Sequence, residues 1–192
     1  MQAQGAGIEG EAGVGFILRP GFMLPPLMFS EGEIEALVLG ARWVAERTDP
    51  QLAGAAQSLL AKVSAVLPPD LRPAMEATAL IVPPGGPGNG GLDLAVVRKT
   101  IRMERRAAII YADSSGRPSN RTIWPFTIGF FDAVRMVAAW CEMRGDFRHF
   151  RCDRISAWEM LPQRMPRRRE ALAKAWRERE GRGDLPTRVP KR

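Results

Sequence analysis

Residues 144 to 155 read RGDFRHFRCDRI and contain four arginines, two phenylalanines and the only histidine of the chain. Polar and apolar residues alternate here, and side chains two apart lie on the same face of a β-strand. Phe150 and Cys152 can therefore enter a core while His149 and Arg151 point to the opposite face. The segment predicts a strand that carries a binding surface, because a helix would not separate these residues in this way.

The residues before this strand predict its hairpin partner. The apolar run from Val134 to Glu142 would pair with Phe147 to Asp153 through a loop at Met143 to Asp146. The simplest register places Phe150, Cys152 and Arg148 on a largely apolar face, opposite Ala139, Val137 and Cys141 respectively. It leaves Cys141 and Cys152 apart, so no disulfide is expected.

The other face of this hairpin predicts ligand binding. The same register pairs His149 with Trp140 and Arg151 with Ala138. An aromatic ring, a histidine and a guanidinium together suit stacking of a base and binding of a phosphate or carboxylate. The alternative, which the residues leave open, is that the arginines are solvated or paired with Asp146 and Asp153.

The alternation breaks after Asp153, since Ile155 should be buried yet shares its parity with Arg151. A bulge or bend near Arg154 would resolve the conflict, and bulges often redirect side chains at binding sites. Arg154 could then join Arg151 on one surface.

Further short strands predict the fold class. The strands are expected at Arg106 to Ala112, Ser119 to Phe126, Thr127 to Asp132 and Ile155 to Leu161, with a turn at Asp113 to Gly116. Pro125 restricts its strand to an edge or a bend. Short antiparallel strands with tight turns favour a small barrel or sandwich. Tyr111, the only tyrosine, ends the first strand, and it would contact a ligand only by converging with Arg121 and Arg151.

The N-terminal third predicts a hairpin followed by two helices. Two apolar stretches around a Gly-rich turn at Ile8 to Leu18 indicate a β-hairpin, and the prolines that follow keep the chain extended as far as Phe29. A capping box that begins at Ser30 precedes a helix over 31–47, whose apolar stripe is Ile34, Leu37, Val38, Ala41, Val44 and Ala45. Asp49 and Pro50 start a second helix with the stripe Leu52, Ala56, Leu59, Leu60 and Val63. The two helices would form a helical hairpin, and a short helical turn is expected at Leu71 to Ala77.

Glycine and proline mark the domain boundary. Residues 83–91 read PPGGPGNGG and predict a flexible linker between a helical region at 30–82 and a second domain at 92–165. A third helix is expected from Leu92 to Arg105. A basic helix from Arg167 to Glu180, with Leu172 and Trp176 as its packing residues, and a disordered tail from Gly181 complete the chain.

Composition limits the function classes. The chain has 192 residues, a net charge of +7 and a pI near 10.4, so an anionic partner is favoured, with nucleic acid first. It has no long apolar run and no signal-peptide pattern, which predicts a soluble cytoplasmic protein without membrane contact. Its two cysteines are predicted to be buried thiols. One histidine, no metal-ligand spacing and no phosphate-binding loop argue against a metal site, a cofactor or an enzyme.

Several strings, in this order, resemble bacterial WYL-domain transcriptional regulators with a DeoR-like winged helix-turn-helix. The strings are GFILRPGF at 15–22, LPPL at 24–27, IY at 110–111, RTIWP at 121–125, GFFD at 129–132, AAWC at 138–141 and FRHFRCDRI at 147–155. The last string is the most specific, because its aromatic residues, arginines and Asp-Arg-Ile fall at the family's spacing. The resemblance runs from Phe16 to about Arg179.

The resemblance implies an α+β protein: a helical hairpin followed by a small Sm-like, SH3-like antiparallel β-barrel with a flanking C-terminal helix. It implies that the barrel senses an anionic effector or single-stranded nucleic acid. Matching positions assign Tyr111, Arg121, His149, Arg151 and Arg154 to the ligand surface, and Arg135, Trp140 and Arg148 are possible additions. The chain departs from the family at Arg135-Met136-Val137, where the tripeptide that names the domain would stand.

The N-terminus predicts a truncated regulator. The helix-turn-helix should precede the hairpin at Ile8, yet only seven residues do, so residues 1–29 are interpreted as a remnant of the wing and a connector. The expected function is the effector-sensing and dimerisation portion of a transcriptional regulator, with the helical hairpin as the homodimer surface and DNA binding supplied by the full family architecture. The alternatives are an Sm-like RNA-binding or adaptor protein and a dimerisation antagonist of a full-length relative.

Overall fold

The computed structural model describes residues 7–11, 15–19, 29–67, 82 and 91–180. The chain divides into two compact units, Met1–Gly85 and Gly86–Arg192, and this boundary falls within the Gly- and Pro-rich segment at 83–91. The predictions of an extended proline segment before Phe29, a helical turn at Leu71 to Ala77, a flexible linker at 83–90 and a disordered tail lie outside the described residues.

The first unit begins with the predicted hairpin. Strand β1 (Gly7–Glu11) pairs antiparallel with strand β2 (Gly15–Arg19), with Ile8 opposite Leu18 and Gly10 opposite Phe16. Only three residues separate the two strands along the chain.

Both predicted helices form, and their N-terminal caps are those expected from the sequence. Helix α1 (Glu31–Arg47) starts at a complete capping box, in which the Ser30 hydroxyl accepts from the Glu33 backbone and the Glu33 carboxylate accepts from the Ser30 N–H at 2.7 Å. Helix α2 (Pro50–Val66) is capped by Asp49, whose carboxylate accepts from the Leu52 N–H at 3.1 Å. Each cap satisfies backbone donors that a helix end leaves free.

The two helices pack on each other. Their buried residues are Val38 and Ala41 of α1 and Ala56 of α2, as the apolar spacing predicts. Leu59, predicted for the apolar stripe of α2, is 44% exposed, so that stripe is narrower than expected. A pair of helices has too little interior to cover every apolar position.

The second unit starts with helix α3 (Leu94–Arg102), whose N-cap is Asp93. The helix is shorter than the predicted Leu92 to Arg105. It ends because Glu104 adopts a left-handed backbone with φ of 52° and directs the chain into the first strand of the sheet. A non-glycine residue in this region is strained and is held only by surrounding contacts.

Five antiparallel strands form one sheet in the order β6-β5-β4-β3-β7. They are β3 (Arg105–Ala112), β4 (Pro118–Phe130), β5 (Arg135–Cys141), β6 (Asp146–Arg151) and β7 (Ile155–Arg164). The predicted barrel is corrected to an open sheet, because the edge strands β6 and β7 do not pair with each other. The α+β class with helices beside an antiparallel sheet is confirmed.

The sheet is open but strongly curled. Its two edge strands follow each other in sequence and are joined only by a single 3₁₀ turn, Cys152–Arg154. Four peptide steps from Arg151 to Ile155 span at most about 15 Å, whereas the edges of a flat five-stranded sheet would lie about 19 Å apart. The short turn therefore draws the two edges toward each other.

Strand β4 corrects the prediction of two strands at 119–126 and 127–132. It runs unbroken through Pro125, with a register shift against β5 between Pro125 and Thr127. Pro125 lies in a central strand, so the predicted edge position is wrong and the predicted bend is confirmed. The proline is tolerated because β3 pairs with β4 only as far as Ile123, so no neighbour on that side needs a proline N–H.

The sheet has a core on each face. The inner core includes Ile109, Ile123, Val137, Phe150 and Ile155, and helix α3 covers it with Leu94, Val97 and Ile101. The outer core joins Phe126, Ala138, Met165, Leu172 and Trp176, the last two from helix α4 (Arg169–Glu180). Leu172 and Trp176 are 0% and 3% exposed, which confirms the predicted packing role of this helix.

Candidate anion-binding site

The candidate site surrounds the 3₁₀ turn between β6 and β7. Cys152 and Ile155 are both buried, although their positions in sequence have opposite parity. The turn supplies the predicted bend, since it resets the alternation and lets both residues enter the inner core. Arg151, Asp153 and Arg154 are left at the surface around the turn.

Arg151 and Asp153 form a two-point ion pair at this turn. The Arg151 Nε donates to one carboxylate oxygen of Asp153 at 3.0 Å, and its terminal nitrogen donates to the other at 2.8 Å. These hydrogen bonds raise the pKa of Arg151 and lower the pKa of Asp153, and the charge of Arg154 lowers the pKa of Asp153 further. The ion pair between Arg151 and Asp153, which the sequence left open, is therefore present in the structure. The Asp153 carboxylate also interacts with the charge of Arg154.

Tyr111 connects this ion pair to Arg121. Its ring packs edge-on against Phe150, the residue before Arg151, with centroids 5.0 Å apart. On its other side, Ser119 Oγ donates to the Tyr111 carbonyl at 3.1 Å, and the Arg121 Nε donates to Ser119 Oγ at 3.0 Å. Strand pairing places Tyr111 between Ser119 and Ile155, next to the turn that holds Arg151 and Arg154. Tyr111, Arg121, Arg151 and Arg154 are here called the arginine rim.

Arg135 lies beneath the rim. It is 7% exposed, and its guanidinium carbon is 6.0 Å from the centroid of the Phe130 ring. Burial raises the pKa of Cys152 to about 12, and the charge of Arg135 opposes that shift.

Trp140 and His149 are not brought to the rim. They lie on the outer face under helix α4, where the His149 ring is 5.7 Å from the Trp176 ring and Trp140 packs against Phe147 at 5.1 Å. The predicted flat aromatic face is therefore covered by α4. The sequence placed both residues on the correct face but could not show what covers it.

The register of the β5–β6 hairpin is also corrected. Phe150 lies opposite Val137 and His149 opposite Ala138, two residues away from the predicted pairing. The difference arises because the connection is a 3₁₀ turn, Glu142–Arg144, followed by Gly145 in a left-handed conformation. A register shift of two residues leaves each side chain on the same face of the sheet. The predicted division of the hairpin residues between the inner and outer faces is therefore unchanged.

Arg148 belongs to a different cluster. It pairs with Asp146 at 3.5 Å, and Asp146 is also held by Arg179 of helix α4. This possible site residue therefore helps to fix α4 to the edge of the sheet.

Two residues that contact the arginine rim were not predicted from the sequence. Ser119 bridges Tyr111 and Arg121, and the sulfur of Met143 lies 2.9 Å from a terminal nitrogen of Arg121. No local pattern marks either residue, because their proximity depends on the registers of three strands.

Within the residues that the structure describes, no group of three or more His, Cys, Asp or Glu side chains could hold a metal ion. No described helix is both long and apolar enough to cross a membrane.

The second unit is thus a small α+β domain, with a curled antiparallel sheet, a helix on each face and a basic rim. Residues 93–160, from the cap of α3 into β7, match the family model of the WYL domain. This match confirms the predicted resemblance to the WYL domain over residues 93–160.

Similar structures were also found. Thirteen solved chains match, among them proteasome accessory factor B/C (PafBC) of Arthrobacter aurescens, with 24% identity over 74% of this chain and a TM-score of 0.38. The matched part of this chain spans 22% of that chain, about a fifth of its length. No curated protein matches.

Proposed function

We propose that the chain is the effector-sensing and dimerisation portion of a bacterial transcriptional regulator, and that its WYL domain binds an anionic ligand or single-stranded nucleic acid at the arginine rim. The observation that carries the proposal is the position of Tyr111, which pairs with Ser119 on one side and with Ile155, next to Arg154, on the other, and whose ring packs on Phe150, next to Arg151. A lone half-buried tyrosine usually has a packing role. Its convergence with two arginines is what a ligand surface requires.

The chemistry of the rim favours phosphate or carboxylate groups. A guanidinium binds either group through two parallel hydrogen bonds. Asp153 already holds Arg151 in this way, so the arginine is oriented before the ligand arrives. Arg154 forms no hydrogen bond or ion pair within residues 91–180 and interacts with Asp153 only through its charge. An anion would therefore bind first to Arg154 and Arg121 and share Arg151 with Asp153.

The remaining functions in the proposal follow the family architecture. The helical hairpin of α1 and α2 would supply the homodimer surface, and a winged helix-turn-helix would read the DNA, because base readout requires an element in the major groove. The proposed role is binding in the cytoplasm, without catalysis or a cofactor.

Fluorescence polarisation with a labelled 12-nucleotide single strand tests the rim. The Arg151→Ala, Arg154→Ala double variant should lose most of its affinity at low salt. The slope of log K against log salt should become less steep by about 1.4, since each single-strand phosphate contact contributes about 0.7. The matched control is Lys174→Ala, Arg177→Ala, which removes the same charge from the exposed side of α4.

Three outcomes would contradict the proposal. Binding that survives the rim variant would show that the rim is not the site. Equal losses in both double variants would show that net charge alone is responsible. Tight duplex binding that selects one sequence would show that this chain reads DNA itself.

A further inference from the structure

A second basic surface lies where helix α3 meets the start of helix α4. It contains five arginines, here called the junction arginines: Arg98 and Arg102 on α3, and Arg167, Arg168 and Arg169 at the start of α4. All but Arg98 are exposed. Residues i and i+4 of a helix lie on the same side, so Arg98 and Arg102 face in the same direction.

The carboxylates near this surface neutralise little of its charge. Glu104 accepts a hydrogen bond from the Arg169 backbone N–H at 2.9 Å and lies 3.6 Å from the Arg168 guanidinium. Its main role is thus to cap the start of α4. Glu170 is the second carboxylate, so two acidic groups stand against five arginines.

Several arginines elsewhere in the same unit are held by carboxylates. Arg106, Arg117 and Arg179 each lie within an ion pair with a carboxylate, as Arg148 and Arg151 do. By contrast, the guanidinium groups of Arg102 and Arg169 form no hydrogen bond or ion pair within the described part of the chain. Exposed arginines without partners can bind an external anion at no cost in broken ion pairs.

The junction arginines border a groove rather than a convex surface. The groove has a volume of about 610 Å³. It is lined by Arg98, Arg102, Arg169, Glu104, Glu170, Thr127 and Ile128, with the buried Ile101 and Phe126 also in contact with it. Three arginines face two carboxylates here, so the groove is net positive, and the exposed Arg167 and Arg168 add positive charge at the start of α4. A polyanion bound along the groove would contact several arginines at once.

The junction is separate from the arginine rim. Strand β3 begins at Arg105, next to the junction, and reaches Tyr111 of the rim six residues later. Six steps along a strand span about 20 Å. The two basic surfaces therefore lie toward opposite ends of β3, and one short ligand would not cover both.

We propose that the junction arginines bind the phosphodiester backbone of duplex nucleic acid without reading its sequence. Arginine matches phosphate geometry, and several partly neutralised arginines along a groove suit a repeating polyanion better than a single phosphate. Such a surface would hold the domain against DNA that another element reads. The inference does not depend on ligand binding at the rim.

The test is salt-dependent polarisation of a 20-base-pair duplex of arbitrary sequence with the full chain. We expect micromolar binding at 50 mM salt. The Arg102→Gln, Arg169→Gln variant should lower affinity at least tenfold and make the salt slope less steep by about 1.8, since each duplex phosphate contact contributes about 0.9. Lys174→Gln, Arg177→Gln removes equal charge and should lower affinity less than threefold. Arg102→Lys, Arg169→Lys retains the charge and should bind within about threefold of the parent.

Four outcomes would overturn this proposal: an unchanged slope in the glutamine variant, equal losses in the control pair, failure of the lysine variant to bind, or tighter retention on phosphatidylserine vesicles than on duplex. The two proposals fail separately. If duplex binding is lost in Arg151→Ala, Arg154→Ala and kept in the junction variant, the junction proposal fails and the rim proposal stands. If single-strand binding survives the rim variant while duplex binding needs Arg102 and Arg169, the rim proposal fails and the junction proposal stands.

Discussion

Trp176 fixes helix α4 to the outer face of the sheet, and its replacement by alanine should release that helix. The side chain is 3% exposed, and its ring lies 5.7 Å from both Phe126 and His149. A buried tryptophan covers about 200 Å², which at about 25 cal/mol per Å² corresponds to about 5 kcal/mol. Because alanine retains part of this burial, we expect Trp176→Ala to lower the free energy of unfolding of the second unit by about 3 to 5 kcal/mol.

Trp176→Phe provides a sharper test of the same contact. The buried indole Nε1 has no acceptor among the described residues. A buried donor without a partner costs about 1 to 3 kcal/mol, whereas the smaller ring loses about 1 to 2 kcal/mol of burial. These effects nearly cancel, so Trp176→Phe should remain within about 1 kcal/mol of the parent.

Urea unfolding monitored by hydrogen exchange of peptides from residues 135–151 measures this effect. These peptides report on β5 and β6, the strands beneath α4, and exclude the α1–α2 hairpin. Lys174→Ala on the exposed side of α4 is the control. A loss below about 1 kcal/mol in Trp176→Ala would refute the docking of α4. A loss in Trp176→Phe as large as in Trp176→Ala would refute the assignment of Nε1 as unsatisfied.

Two further predictions concern single residues. Burial raises the pKa of Cys152 to about 12, so its thiol should resist iodoacetamide at pH 8.5 until urea unfolds the chain. Its stabilising contribution is present below the unfolded thiol pKa of about 8.5 and is lost as pH rises toward 12. Cys152→Ala should therefore show a shallower alkaline loss of stability in melts between pH 8 and 10. Glu104→Ala should lower stability by about 0.5 to 2 kcal/mol, because it removes the cap of α4. Glu104→Gln keeps a hydrogen-bond acceptor and should lose less stability in thermal melts. Equal losses in the two variants would contradict the capping role.

Local signals predicted most of the elements. Ser30 with Glu33 and Asp49 with Pro50 marked both helix starts, because capping depends on residues within one turn. Alternating or short apolar stretches marked the strands of the sheet, although β4 was predicted as two strands. Strand β4 was predicted as two strands because of Pro125. A sequence shows that proline cannot donate a backbone hydrogen bond, but it does not show whether a neighbouring strand needs that bond.

The candidate site was predicted less completely. The residues around Arg151 and Arg154 follow from one segment, so their grouping at the turn was accessible from sequence. Tyr111 and Arg121 join them only through the registers of β3 and β4 and through Ser119. Their binding role remains a prediction.

By itself, the sequence determined which side chains share a face. The two-residue periodicity of RGDFRHFRCDRI separated Phe150 from His149 and required a bend before Ile155, because parity is a property of the chain alone. Only the tertiary structure decided what each face meets. Helix α4, some twenty residues further along, covers Trp140 and His149, while the curl of the sheet leaves Arg151 and Arg154 half-buried at the surface near Tyr111. Contacts between distant segments depend on packing, which no local pattern encodes.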